Sequence, residues 1–306
     1  MEFKHTSIML SECIDGLNIK EDGIYIDATL GGGGHSLEIC KKLSEKGMLI
    51  GIDRDQEAIE AAKERLSETV CQKKFINANF CDIDNYIDFK ADGILADLGV
   101  SSYQLDNKDR GFTYREDAPL DMRMDKNAAL TAEIVVNTYS FGDLYRIISQ
   151  YGEEKYAKSI ASNIVKKRET EKITTTNQLI DIIRHSMPFK STKEKHPAKR
   201  TFQAIRIEVN DELGSLKSGI EKFFNMLNHG GRLCLITFHS GEDKIVKSYF
   251  KSLYDVCTCN KDFPVCICNN IPSAKPITRK AIVANERETE ENPRSKSAKL
   301  RITERL

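Results

Sequence analysis

The chain has 306 residues, 40% hydrophobic and 30% charged, with 46 basic residues against 46 acidic ones. That content supplies a sizeable core and more than one domain, while zero net charge gives no bulk attraction for nucleic acid. No apolar stretch approaches the roughly 20 residues that span a bilayer and residues 1–5 carry no secretory apolar region, so a cytoplasmic location and no membrane partner are expected.

In chain order, the first strong signal is an apolar run at 24–26 that leads into Asp27-Ala28-Thr29-Leu30-Gly31-Gly32-Gly33-Gly34-His35-Ser36 and then a helical pattern at 37–43. Strand, glycine turn and helix in that order let a ligand approach the backbone closely and offer it free N–H groups. A second apolar run ends in Gly51-Ile52-Asp53-Arg54-Asp55, which places Asp53 26 positions after Asp27. A carboxylate there accepts ribose hydroxyls, so the pair describes a nucleoside ligand across two parallel strands. A helix cap is the plain alternative for Asp53 alone. His35 follows Gly34 where a nucleoside-triphosphate loop needs Lys then Ser or Thr, which argues against that ligand. A dinucleotide fingerprint and an adenosylmethionine turn each fit in part: Ser36 replaces the third small residue of the former, Thr29 the first glycine of the latter.

Strands are expected at 24–28, 48–53, 74–77 and 93–97, with a helix at 57–66 whose apolar residues Ala58, Ile59, Ala62 and Leu66 share one face. This alternation predicts a doubly wound parallel α/β sheet with right-handed crossovers. The rhythm stops at about residue 104, and helical patterns at 131–137, 141–150, 154–167 and 177–185 predict a mostly helical insertion. A long helix at 198–227, breaking near Gly214, is expected next. A buried strand at 231–238, a helix at 242–254 and an antiparallel pair at 275–283 and 298–302 complete the prediction. The domains are therefore drawn as 1–106 and 203–306 for the α/β part and 107–202 for the insertion.

The fourth strand runs into Asp97-Leu98-Gly99-Val100-Ser101-Ser102-Tyr103-Gln104-Leu105-Asp106. With this segment the chain closely resembles the MraW/RsmH family of bacterial rRNA methyltransferases. The resemblance covers nearly the whole chain. It rests on residues 27–36, 51–55 and 97–106, on Arg110-Gly111-Phe112 and Pro119-Leu120-Asp121-Met122-Arg123-Met124, on residues 196–212, on Thr237-Phe238-His239-Ser240 and on residues 292–301. Two positions depart from the family pattern: Ser7 replaces a proline and Gly241 a leucine. The resemblance implies a Rossmann-like class I methyltransferase with a seven-stranded, mostly parallel sheet. It also implies S-adenosyl-L-methionine as cofactor, contacted by Gly33, Gly34, His35, Asp53, Phe80, Asp97 and Gln104, with Phe80 flanking the adenine. The implied reaction is methylation of a cytidine N4 in the decoding region of 16S rRNA, with the small ribosomal subunit as partner and no obligate protein partner.

The cytosine N4 lone pair is delocalised into the ring, so the enzyme must hold amine, methyl and sulfur in line and offer the amine an acceptor. Asp97 is the candidate catalytic acceptor; a contact to the cofactor alone is its alternative, and His239 is a second substrate-facing candidate. RNA contacts are expected from five basic residues against one acid at 190–200, from nine against five at 275–306, and from Arg110, Phe112, Tyr114, Arg115 and Arg123. A non-catalytic RNA-binding factor, a DNA or small-molecule aminomethyltransferase, and an NAD oxidoreductase are the competing readings. Cys257-x-Cys259 and Cys266-x-Cys268 have the donors for tetrahedral zinc but a tighter spacing than usual. A cysteine-rich loop is the simpler alternative, and no metal is assigned at this level.

Overall fold

The computed structural model describes residues 7–188, 196–259 and 268–306. The chain divides into two compact units, residues 1–99 with 213–306, and residues 100–212.

The first unit is built on β1 (Ile24–Asp27), β2 (Met48–Asp53), β3 (Gln72–Asn77), β4 (Ala91–Asp97), β5 (Leu227–Thr237), β6 (Ala274–Pro276), β7 (Ile282–Val283) and β8 (Lys299–Arg305). These form one sheet of order β3-β2-β1-β4-β5-β8-β6, with β7 also on β8. The five strands from β3 to β5 are parallel and β8 runs antiparallel to β5. β6 takes residues 303–305 of β8 and β7 takes 299–300 on its outer edge. Eight strands thus fill the seven positions expected from sequence, because the edge is shared by two short pieces.

Alternation along each strand divides the core. Ile26, Ile50, Ile94, Leu233 and Leu235 face α10 (Glu212–Met226) and α11 (Ser240–Tyr254) through Leu216, Ile220, Phe223, Val246 and Phe250. Tyr25, Leu49, Leu95, Cys234 and Ile236 face α1 (Leu10–Leu17) and α2 (Gly34–Lys42). Central parallel strands covered on both faces must be apolar on both sides. This is why the strand sequences read as continuous hydrophobic runs. α3 (Gln56–Arg65) starts on Asp55, whose side chain accepts from Glu57 N–H. β5 starts four residues earlier than the sequence pattern suggests, because Leu227 pairs with Ala91 before the ladder shifts at Gly93.

The second unit contains α4 (Ser102–Asp106), α5 (Ala132–Thr138), α6 (Phe141–Gln150), α7 (Ala157–Arg168), α8 (Thr176–His185) and α9 (Lys199–Asn210). Thr131, Ser140 and Thr175 cap α5, α6 and α8 through side-chain oxygens, the residue types that satisfy free helix N–H groups. The expected long helix is two helices, since Asp211 takes a left-handed conformation (φ 46°) between α9 and α10. Phe202, Ile205 and Val209 of α9 join the helical core, and Leu105 of α4 packs on it. Residues 100–106 and 203–212 therefore group with the helical unit, a different partition from the one drawn at 107 and 202.

Candidate active site

β1, β2 and β4 each end on a carboxylate: Asp27, Asp53 and Asp97. The chain leaves β1 toward β2 on one side and later enters β4 on the other. At such a switch point the loops above the strands part and leave a crevice. Asp27 and Asp97 stand on either side of it.

Asp27 is almost wholly buried, accepting from Ser36 Oγ at 2.7 Å and from Thr29 N–H at 3.3 Å. Its pKa nevertheless rises to about 6, because burial outweighs those two donors. Asp53 accepts from Gly31 N–H at 2.8 Å and Asp55 N–H at 2.9 Å. Desolvation lifts it too, to about 6, with Asp55 and Asp27 adding repulsion. Asp97 is held well above the carboxylate range by desolvation and by the charges of Asp27 and Glu242. Its backbone N–H donates to Thr29 Oγ1 at 2.6 Å, while its buried Oδ1 has no hydrogen-bond partner among the described residues.

His35 is buried and its Nε2 lies 2.9 Å from the Ile8 carbonyl oxygen. A carbonyl only accepts, so Nε2 carries the proton and the Nδ1 lone pair is turned elsewhere. Nδ1 lies 3.9 Å from Asp97 Oδ2. Burial depresses the imidazole pKa to about 4, so this side chain is neutral near pH 7. Its hydrogen bond ties down the segment before α1.

The four glycines serve two purposes. Gly33 has φ 74°, and a methyl there would stand 3.1 Å from Ala62 Cβ, while one on Gly34 would collide with Ser7 Oγ. These two glycines are required by the close approach of α3 and the N-terminal segment. A methyl on Gly31 or Gly32 would meet nothing nearer than 3.9 Å, so that stretch of backbone is the open side of the turn. Ser7, which departs from the family pattern, is the residue packed against Gly34.

Phe80 begins a 3-10 turn after β3, capped by Asn79, and its ring lies 5.6 Å from that of Phe223. Gly219 on α10 admits it, because a methyl there would be 2.8 Å from Phe80 Cδ2. Ala78 N–H and Asn77 Nδ2 both donate to the Asp53 carbonyl at 3.0 Å, which fixes the start of the Phe80 turn beside the end of β2. The structure thus gathers Gly33, Gly34, His35, Asp53, Phe80 and Asp97 at the carboxyl ends of the strands in the first unit. Gln104 belongs to the second unit, where it forms a capping box with Ser101: Ser101 Oγ accepts from Gln104 N–H, and Gln104 Oε1 accepts from Ser101 N–H, each at 3.2 Å.

Three contributors escaped sequence reasoning. Thr29 aligns the Asp97 backbone. Glu242, buried at the third position of α11, accepts from Phe238 N–H at 2.8 Å and His239 N–H at 3.3 Å and adds charge near Asp97. Its signal was available: a Glu three residues into a helix is a capping-box position. Arg65 places a guanidinium nitrogen close to Gly32 and Gly34. His239 itself lies 3.3 Å from Glu242 Oε1 through Nε2.

The expected aromatic and basic interleaving at 110–123 is corrected by the structure. Arg110 is buried and donates to the carbonyls of Arg123 and Met124 at 3.0 and 2.9 Å. Arg123 clamps Asp121 through two bonds and donates to the carbonyls of Lys126 and Ala128. Phe112 is core, and Tyr114 stacks on His196 at 4.4 Å. Of the five residues, Arg115 alone is exposed. The guanidinium of Arg110 donates to backbone carbonyls and that of Arg123 to the Asp121 carboxylate and two carbonyls, all within the unit, so these groups are engaged internally. Most of the 190–200 basic cluster and Cys266 lie outside the described residues.

A parallel sheet with a glycine turn after β1, a carboxylate ending β2 and an acidic crevice at the switch point fits a ribose-bearing, cationic ligand. Three carboxyls raised by burial, with Asp53 and Asp97 raised further by the charge of Asp27, disfavour a pyrophosphate and gain from a positive charge. The fold and site therefore define an adenosylmethionine-dependent methyltransferase. The chain belongs to the MraW methylase family, whose model matches residues 2–306. It is similar to ribosomal RNA small subunit methyltransferase H 2 of Agathobacter rectalis, 56% identical over 100% of this chain and 99% of that protein. It is likewise similar to ribosomal RNA small subunit methyltransferase H of Clostridioides difficile and of Clostridium botulinum, 53% and 55% identical over the whole of each chain.

Proposed function

We propose that this protein methylates the N4 amine of a cytidine in the decoding region of 16S rRNA, acting in the cytoplasm on the small ribosomal subunit. One observation carries the chemistry: the partnerless buried Oδ1 of Asp97 at the β1/β4 switch point. A weakly nucleophilic amine needs an acceptor as its nitrogen rehybridises and sheds a proton, and a desolvated carboxylate is such an acceptor. Relatives named for the small-subunit rRNA support the substrate.

Bound S-adenosylmethionine supplies an electrophilic methyl on a sulfonium. Asp53 would hold the ribose, Gly31 and Gly32 the open backbone face, and Phe80 the adenine. Asp97 would orient one amine N–H and accept the proton the amine sheds as its N–C bond replaces the S–C bond to the methyl, and Asp27 and Glu242 raise its basicity by repulsion. His35, neutral and fixed to Ile8, adds no positive charge of its own to the crevice.

The test is transfer of labelled methyl to small subunits and to protein-free 16S rRNA, followed by mass mapping of the modified nucleotide. A single N4-methylated cytidine in the decoding region is expected. Methylation of a carbon or a hydroxyl, or cofactor binding without turnover on either substrate, refutes the proposal.

A further inference from the structure

The structure assigns a metal site to the connection between α11 and β6, remote in sequence from the glycine turn. We propose that Cys257, Cys259 and Cys268 bind a structural zinc ion.

The first argument is convergence. Cys257 and Cys259 follow the end of α11, and Cys268 lies nine residues further on, yet the three sulfurs all stand within 4.8 Å of one another. In tetrahedral zinc thiolate, with Zn–S of about 2.3 Å, neighbouring sulfurs are about 3.8 Å apart. The observed limit of 4.8 Å lies within about 1 Å of that spacing. Cysteine is a soft donor that selects zinc over magnesium or calcium.

The second argument is the loop itself. Eighteen residues separate Tyr254 from Ser273, and the described ones among them form no helix or strand. Segments without helix or strand need other contacts to hold their place in a compact domain. Among the described residues of this connection, Ile271 is 87% exposed. What holds the loop is polar: Ser273 N–H donates to the Leu253 carbonyl at 2.9 Å, and Asn270 Nδ2 donates to the Val256 carbonyl at 2.8 Å. These bonds draw the two ends of the loop together and carry Cys268 back to the Cys257–Cys259 pair. A metal joining thiolates from both ends would tie them together, as in small domains whose folding is coupled to metal. Cys266, two positions before Cys268, lies outside the described residues, and the proposal stands on the other three.

Metal content of the full chain, produced without a histidine tag in zinc-supplemented medium and gel-filtered, tests this directly. A single zinc per chain is expected. Cobalt substitution should give thiolate-to-cobalt charge-transfer absorption with tetrahedral d–d bands, and C259S and C268S should each bring the zinc to background. Adenosylmethionine binding by these variants verifies that they are folded, and the stoichiometry of the unaltered chain is read without any variant. Removing zinc with a mercurial and a chelator should expose a protease cut between Tyr254 and Ala274. Zinc at background in the unaltered chain, iron in its place, or full retention of zinc by both variants overturns the assignment.

Discussion

Replacing Asp27 with Asn tests whether the crevice is built at the expense of the ligand-free fold. Asp27 is 1% exposed and its pKa rises from 3.8 to about 6. Such a rise means that the folded state holds a proton more tightly than the unfolded chain. Stability from this group is therefore fully present below 3.8 and lost as pH climbs through 6. The full loss is about 3 kcal/mol, of which about 2 kcal/mol falls between pH 4.5 and 8. Asn retains the shape, with its carbonyl facing Thr29 N–H and its amide facing Ser36 Oγ. The profile of the unaltered protein alone does not isolate the effect. His35, depressed to about 4, contributes in the opposite sense, gaining stability as pH rises from 4 to 6.5. The difference between variant and parent removes that background. Ligand-free thermal unfolding of both proteins across pH 4.5–8 should show D27N gaining on the parent by roughly 4–8 °C, at about 2–4 °C per kcal/mol for a unit of this size. A melting difference that stays constant over that range refutes the reasoning.

Asp53→Ala removes the acceptor of Gly31 and Asp55 N–H and the carboxylate proposed for the ribose; calorimetry should show adenosylmethionine binding weakened about 10- to 150-fold, and unchanged affinity removes Asp53 from the site. Asp97→Asn should lower kcat by about 10²–10⁴ at saturating cofactor, and full turnover would leave Asp97 with a binding role only. In the parent enzyme kcat/KM should fall on the acid side with a midpoint above the ordinary carboxylate range, since Asp97 must be ionised to accept a proton and its pKa is raised; a profile flat down to pH 4 contradicts this. Gly219→Ala should displace the Phe80 ring, costing about 1–3 kcal/mol of stability and weakening cofactor binding measurably. Binding equal to the parent's would show that Phe80 does not line the cofactor.

Much of the α/β unit is legible in the residues because its signals are local. Strand runs, glycine punctuation and acidic strand ends each occupy a few consecutive positions, and the parallel alternation follows from their order. What escaped prediction depends on distant partners. The start of β5 at Leu227 needs Ala91 across the sheet. The membership of α9 in the helical unit needs Phe202, Ile205 and Val209 to join a core shared with α5 and α6, far earlier in the chain. Arg110 and Arg123 read as surface charge in sequence because a guanidinium advertises phosphate and backbone carbonyl equally. Only the fold shows that their partners are internal: carbonyl oxygens for Arg110, the Asp121 carboxylate and two carbonyls for Arg123.

The glycine turn illustrates why motif and mechanism are separable. Four consecutive glycines read as one ligand cradle, yet Gly33 and Gly34 answer to Ala62 and Ser7, and only Gly31 and Gly32 face open space. Substitution at the second pair therefore strikes packing, and substitution at Gly32 is the more direct probe of ligand approach. The acids behind the turn follow the same logic. Asp27 and Asp53 compensate part of their burial with two donors each, while Asp97 keeps one oxygen without any. Two satisfied carboxyls shape the crevice and one unsatisfied carboxyl is left for chemistry. That division of labour makes Asp97, among the three strand-ending acids, the one suited to meet a substrate amine.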